Sequence, residues 1–339
     1  MSKKDLNVLN LKSKILKDKK ILNIYSIFKK NLNFITNENI TIGVSGGPDS
    51  LALASLVKMF QNEKKIKVFF VLIDHGIRKN SSTEAIQVKK LLKKHDIDIT
   101  ILKNKEKIKS NIQSRARDVR YKLLTNFSKK NKVKYILTAH HSDDQVETFL
   151  IRLSRGSGVR GLSAMKLSTR LENKIYLVRP LLDQNKDELI YIAKKIFKKV
   201  FKDPSNKNKK YLRTRVRYLK NILEKNGIHY DQILKSIKNL ASTRDTLDAY
   251  IGKIYKTNVK NKKKEIIVNF KNISIESVEI QIKILSEAIR NFSKSYYPPR
   301  SKKILNLIEV FSTYEKKKLT LAGCLLEKSG PYISIKKEA

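Results

Sequence analysis

The 339-residue chain has a single cysteine, Cys324. An internal disulfide and a cysteine-based zinc cluster are therefore excluded. Sulfur transfer carried on a thiol pair is disfavoured for the same reason, since no C-x-x-C occurs. Long apolar runs are missing too. The longest is "VFFVLI" at 68–73, far short of the roughly 18 residues that span a bilayer. The opening stretch, "MSKKDLNVLNLKSKILKDKK", is charged throughout and lacks a signal-peptide core, so a cytoplasmic location and no membrane partner are expected. Acidic residues are scarce: 31 Asp+Glu stand against 74 Lys+Arg, a formal charge of +43. That imbalance suits a polyanionic partner, most simply nucleic acid. Part of the excess has a blander source, because lysine, isoleucine and asparagine are all inflated, as coding bias would produce. The five histidines (His75, His95, His140, His141, His229) show no metal-ligand spacing, and no internal repeat is present.

What the chain does contain is alternation. Apolar, β-branched runs at 40–44, 66–73, 97–102 and 133–138 predict strands. Helical patterns occupy about 51–62, 82–95, 114–130 and 143–154 between and after them. Short apolar strands joined by crossover helices predict an α/β, doubly wound parallel sheet covered on both faces. Helices are next expected at 185–200 and 207–226, with a turn at 202–206. In the second, Leu212, Val216, Leu219 and Leu223 share one stripe, and Lys210, Arg213, Arg217 and Lys220 form another turned away from it. A charged linker at 257–265 precedes a strand at 266–270, helices at 274–291 and 300–312, and a hairpin at 319–335. The expected organisation is an N-terminal basic arm or helix (1–36), the sheet domain (37–200), a basic helical linker domain (201–256) and a small α+β C-terminal domain (265–339).

Three polar clusters fall directly after predicted strands: "SGGPDS" (45–50), "DHGIR" (74–78) and "AHHSDDQVE" (139–147). In an open parallel sheet, ligands bind beyond the carboxyl ends of the strands. In the first cluster Gly46 and Gly47 permit close backbone approach, Ser45 and Ser50 supply hydroxyls, and a helix N-terminus favours an anion. The result is a phosphate cradle lacking the Walker lysine; the alternative is a capped strand-to-helix turn. Asp74 and Arg78 could form a structural ion pair or flank a ligand. Ser142 and Gln145 fit a capping box at the third helix start. Glu147 lies one turn past Asp144, and two carboxylates at that spacing suit Mg²⁺ or a cationic substrate. Arg117 and Arg120 occupy neighbouring helical positions suited to phosphate, though taken alone the segment reads first as a solvated basic face. "RLSRGSGVRGLSAM" (152–165) is a glycine-rich basic loop that is either surface or RNA-facing.

"SGGPDS" resembles the S-G-G-x-D-S signature of the PP-loop ATP pyrophosphatases, which cleave ATP between the α and β phosphates and transfer AMP to an oxygen. Within that superfamily the chain resembles the tRNA(Ile)-lysidine synthases. The matching pieces, in family order, are "DHGIR", "SRARDVRY", "TAHHSDDQVETFLIRLSRGSGVRGL", "VRPLL" and "KDPSNKNKKYLRTRVR", with a weaker likeness in "LTLAGCLLEKSG". The resemblance implies adenylation of the wobble cytidine in the CAU anticodon of isoleucine tRNA. Attack by free L-lysine on carbon 2 then gives lysidine and AMP. It implies ATP binding by Ser45, Gly46, Gly47, Pro48, Asp49 and Ser50, with Asp74, His75 and Arg78 nearby. Mg²⁺ would sit at Asp49 and Asp144, and Asp144 and Glu147 would place the lysine. Arg120, and after it Arg117 and Arg78, would meet the activated intermediate or a phosphate, and Arg155, Arg160, Lys210, Arg213, Arg217 and Lys220 would grip the tRNA. No protein partner is implied. The rival readings are a thiolating PP-loop enzyme, a small-molecule amidating ligase, and an RNA-binding protein without activity.

Overall fold

Strand β1 (Ile40–Gly43) sits inside a six-stranded sheet, between β2 (Val68–Asp74) and β4 (Tyr135–Leu137). Strand β3 (Ile99–Lys103) flanks β2, while β6 (Tyr176–Val178) and then β5 (Ser168–Arg170) extend the other side, giving the order β3-β2-β1-β4-β6-β5. Ile42 pairs beside Phe70 on one side and Leu137 on the other, both in parallel register. Only β5 runs antiparallel in this sheet, against β6. The computed structural model describes residues 11, 13–78, 80–106, 108, 110–171, 174–201, 208, 210–294 and 299–338. The chain forms two compact units, Met1–Leu240 and Ala241–Ala339.

The helices of the first unit are α1 (Lys19–Lys30), α2 (Pro48–Lys64), α3 (Ser81–Lys93), α4 (Ile112–Lys130), α5 (Ser142–Leu153), the single turn α6 (Val159–Leu162), α7 (Lys186–Phe197), α8 (Leu212–Lys225) and the start of α9 (Tyr230–Asn258). Helix α2 is buried at every position from Ser50 to Phe60. It packs in one core with α1, α7 and a sheet face through Phe28, Leu53, Phe60, Ile192 and Ile196. A second core, around Val71, Leu124, Ile136 and Leu177, covers the opposite face beneath α4. The sheet is thus doubly wound, as the strand–helix alternation predicts. Each fully buried aliphatic side chain contributes about 1.5–3 kcal/mol relative to exposure. A smaller cluster of Val146, Tyr230 and Ile237, with Leu150 and Leu223 against it, joins α5, α8 and α9.

Several boundaries differ from the sequence expectation. Helix α2 starts at Pro48 rather than Leu51, because a proline at the first helical position gives up no hydrogen bond and has φ preset. Strands β5 and β6 were not expected; at three residues each they are too short to show a period. Helix α8 starts at Leu212 rather than 207. Before it the Asn208 side chain accepts the Lys210 N–H at 3.0 Å, an Asx-type turn that competes with helix. The turn expected at 202–206 lies outside the described residues.

In the second unit a five-stranded antiparallel sheet has the order β7-β8-β11-β10-β9. Its strands are β7 (Val259–Asn261), β8 (Ile266–Asn269), β9 (Lys316–Leu321), β10 (Cys324–Ser329) and β11 (Tyr332–Lys337). Ile266, Val268, Cys324, Leu326, Ile333 and Ile335 point to one face. Helices α11 (Val278–Ser293) and α12 (Ser301–Thr313) cover it with Leu285, Ile289, Ile304 and Phe311, after the short turn α10 (Phe270–Ile273). The expected hairpin at 319–335 is a three-stranded meander. Its hidden turn is Ala322–Gly323, both at positive φ (56° and 71°), where alanine gives no turn signal. Cys324 is buried in this core, so it is a packing residue.

Candidate active site

The loop after β1 is built around one hydroxyl. Ser50 Oγ accepts from the Ser45 N–H and lies 3.1 Å from Ser45 Oγ, while donating to the Gly47 carbonyl at 3.0 Å. This closes Ser45–Ser50 into a tight loop over the N-terminus of α2. Gly46 has φ +84°, and a Cβ there would meet Val88 Cγ2 at 2.5 Å, so glycine is required twice over. Asp49 stands at the second helical position. Its Oδ1 is buried without a hydrogen-bond partner, and its Oδ2 lies 3.7 Å from His141 Nε2.

His141 leads into α5 and links this loop to the next carboxylates. It is 1% exposed, its backbone N–H donates to Asp144 Oδ2 at 3.2 Å, and its Nε2 lies 3.5 Å from the same oxygen. Burial alone would lower the imidazole, but Asp49, Asp144 and Asp143 outweigh it and hold His141 above its ordinary value. His140 behaves oppositely. Burial drives it down to about 3, so it stays neutral, with Nδ1 2.9 Å from Thr138 Oγ1. Burial would raise Asp144, yet His141 and Arg213 hold it down at about 2. The helix cap therefore sits one residue earlier than the expected Ser142–Gln145 box. Gln145 Oε1 instead accepts the Met165 N–H at 2.7 Å, because a side chain fixed to a distant loop cannot return to its own cap.

Helix α8 supplies the surprise. Its basic stripe, expected to grip the tRNA, turns Arg213, Arg217 and Lys220 toward the carboxylates of α5. Arg213 Nε donates to Glu147 Oε2 at 2.6 Å and its Nη2 to Asp144 Oδ1 at 2.7 Å. Arg217 Nε donates to Glu147 Oε1 at 2.6 Å, and Lys220 Nζ to Asp143 Oδ2 at 2.7 Å. Of the expected apolar stripe, Val216 is buried and Leu223 packs against Val146's cluster, but Leu212 and Leu219 are 36% and 43% exposed. Lys220 also holds Asp143 below the usual carboxylate range against its burial. A cavity of about 130 Å³ opens here between three acids (Asp143, Glu147, Asp187) and three cations (Lys186, Arg217, Lys220).

The remaining residues singled out in the sequence lie as follows. Asp74 closes the end of β2 and turns to α3: Ser81 Oγ and Ser82 Oγ donate to its two oxygens at 2.7 and 2.5 Å, and the Gly76 N–H donates at 3.1 Å. Burial would raise this carboxyl, and those bonds outweigh it and lower it. Arg78 makes a two-pronged pair with Glu84 at 2.9 and 3.3 Å, and the backbone oxygen of the half-buried His75 accepts from Asn104. Asp74 and Arg78 are thus both engaged with α3. Arg120, Arg155 and Arg160 are exposed, on α4 and on the segment after α5. The Lys210 carbonyl accepts from Arg215 at 3.2 Å. Sequence reasoning did not assign His141 a place in the site. Its position between two strand-end motifs was the available signal.

The order β2-β1-β4 makes the ends of β1 and β4 adjacent, the reversal point at which doubly wound sheets bind ligands. Comparison with known proteins identifies the family. The family model described as "PP-loop domain" matches residues 18–224. The chain is 34% identical over 317 residues to the tRNA(Ile)-lysidine synthase of Wolbachia pipientis wMel, covering 91% of this chain and 73% of that protein. It is 33% identical to the enzyme of that name from Orientia tsutsugamushi (strain Boryong), covering 90% and 71%. Among solved structures, the U34-tRNA thiolase NcsA from Methanococcus maripaludis shares the fold, with a TM-score of 0.54 and 22% identity over 66% of this chain and 80% of that one. No helix among the described residues is long and apolar enough to cross a membrane. The chain belongs to the tRNA(Ile)-lysidine synthase family, ATP-dependent ligases built on the PP-loop domain.

Proposed function

We propose that the chain joins free lysine to carbon 2 of the wobble cytidine in a CAU-anticodon isoleucine tRNA, through an adenylated cytidine, releasing pyrophosphate and then AMP. The observation that carries this reading is the single cluster of Asp49, His141, Asp144 and Glu147 at the β1/β4 reversal point. The loop Ser45–Ser50 takes the phosphates on its backbone N–H groups and the α2 N-terminus, and the Ser45 hydroxyl, which donates to Ser50 Oγ in the closed loop, turns to the negative charge. Adenylation makes chemical sense because a pyrimidine carbonyl oxygen leaves poorly and AMP leaves well.

The residues fit a Mg²⁺ ion in a limited way. Asp49 Oδ1 is a buried acceptor without a protein donor, whereas the Asp144 oxygens already face Arg213 and His141. Mg²⁺ is commonly held by one or two carboxylates together with substrate phosphates, so Asp49 would hold it. When bound, the ion neutralises charge developing on the phosphates. No group of three metal-ligating side chains occurs among the described residues.

Lysine placement belongs to Glu147 and the cavity beside it, whose mixed acidic and basic lining suits a free amino acid. Its ammonium replaces Arg217 on Glu147, because Arg217 lines the cavity and Arg213 does not, while Arg213 stays on Asp144. Only about one lysine amine in 2,500 is neutral at pH 7, so a carboxylate that accepts its proton is needed. Arg120, Arg155, Arg160 and the small C-terminal domain are left to the tRNA.

The test is incubation of the full chain with ATP, Mg²⁺, labelled lysine and unmodified isoleucine tRNA transcript. Label should enter the RNA only with ATP, with one AMP formed per lysine. AMP and pyrophosphate without label would overturn the nucleophile; no ATP cleavage by folded protein would overturn the reaction.

A further inference from the structure

Beside this site lie three arginines that it does not use. Arg117 is on α4, Arg152 on the last turn of α5, and Arg179 directly follows β6. Three different elements therefore deliver guanidinium groups within electrostatic reach of one another. Their burial is graded: Arg117 is exposed, Arg152 is half-buried and Arg179 is 7% exposed. Arg179 Nη1 donates to the Lys166 carbonyl at 2.8 Å and Thr169 Oγ1 at 2.9 Å, but its buried Nε has no hydrogen-bond partner. Arg152 Nη1 donates to the Gly161 carbonyl at 2.7 Å, and Arg117 lies 4.9 Å from the centre of the Tyr121 ring.

Among the described residues none of the three pairs with a carboxylate; their partners are neutral oxygens and a ring. A solvated basic face does not explain a buried Arg179. Burial and the neighbouring guanidinium both work against the charge on Arg152 and Arg179, so the cluster costs stability as it stands. An anion carrying several acceptor oxygens, met by forked donors, offsets that cost.

We propose that Arg117, Arg152 and Arg179 form a phosphate-binding site, separate from the ATP loop, that takes a backbone phosphate of the tRNA. This rests on the reading of the chain as acting on tRNA. Two sources of phosphate exist, RNA and the pyrophosphate leaving group, and the sheet order favours RNA. Arg179 follows β6, which β4 separates from β1, so the backbone that carries Arg179 stands about 10 Å from that of the ATP loop at ordinary strand spacing. The Arg152–Gly161 bond also ties the cluster to the exposed segment carrying Arg155 and Arg160.

The test measures binding of isoleucine tRNA transcript across a salt series, and of inorganic pyrophosphate by calorimetry, using the full chain. Arg152→Gln and Arg117→Gln are the informative variants, since Arg179→Gln removes a buried anchor; their melting temperatures are checked first. Each should weaken tRNA binding about tenfold and flatten the slope of log affinity against log salt by about 0.7. Pyrophosphate binding should be unchanged, as should tRNA binding by the exposed control Lys64→Gln. Lost pyrophosphate affinity with intact tRNA binding would overturn the RNA source, and two folded variants that bind both ligands normally would overturn the site. Lysine transfer is not the readout. A chain that shows these binding losses yet fails to incorporate lysine keeps the site and loses only the proposed reaction.

Discussion

Two carboxylate regions face one another across His141, and they are finished differently. On the PP-loop side, Asp49 keeps a buried oxygen with no protein donor. On the α5 side, Glu147 and Asp144 are met at 2.6–2.7 Å by arginines from α8. An acceptor left without a partner inside a protein costs about 1–3 kcal/mol. A chain that tolerates the cost at Asp49 while neutralising its neighbours keeps one carboxylate for a ligand and holds the other pair with internal cations. The comparison teaches that acidic residues in one cluster need not share a role: one side is built for binding, the other for exchange.

The largest test of that difference is Asp49→Ala. Lysine incorporation should fall by at least about 10²–10³-fold, the scale for one lost transition-state contact, while urea unfolding shifts by no more than about 1 kcal/mol, because the lost His141 contact at 3.7 Å is offset by removal of a buried acceptor without a partner. Severe destabilisation would make Asp49 structural and erase the contrast. Glu147→Gln should do the reverse in the unfolding curve, costing about 1–2 kcal/mol by breaking two ion pairs to partly exposed arginines. A loss below about 1 kcal/mol would mean that the arginines find other partners.

A sharper probe is Arg217→Gln, which removes the cation that competes for Glu147. The lysine KM should drop by about 2–5-fold, matching the ~0.5–1 kcal/mol of a partly exposed pair, and a raised KM would show that Arg217 binds lysine instead of yielding to it. The smallest effect concerns Asp74, a carboxylate committed to Ser81, Ser82 and Gly76. Its folded-state carboxyl lies below the ordinary 3.8, so its stabilisation is complete above that value and lost as pH falls through the acid range beneath it. Asp74→Asn should therefore destabilise by about 1 kcal/mol at pH 7 and by less at pH 3, read from unfolding at both values.

The lysine-rich surface offers a parallel contrast within the second unit. Edge strand β9 carries Lys316, Lys317 and Lys318 in sequence, all exposed. Charges in that position keep a sheet edge from pairing with another chain, so part of the +43 formal charge has a structural use.

Much of this protein is written locally. Apolar runs of strand length, the glycines and proline of 45–50 and the carboxylates opening α5 are properties of short windows, and β1 to β4 with the helices between them form near where their periods place them. Pro48 is legible as a first-turn residue once the helix start is known, because its lack of an N–H is harmless only there. Part of the site's membership, Asp49, Asp144 and Glu147, was legible because motifs at neighbouring strand ends converge in a parallel sheet; His141 was not assigned. Its wiring was not. That β4 returns to the far side of β1 depends on pairing between strands about a hundred residues apart. Helix α8 has an apolar and a basic stripe, and solvent would ordinarily take the basic one. Here Arg213 and Arg217 reach carboxylates 66 to 70 residues earlier in the chain. Buried acids need cations more than Leu212 and Leu219 need cover, and only the tertiary structure, by burying those acids, could turn the helix inward.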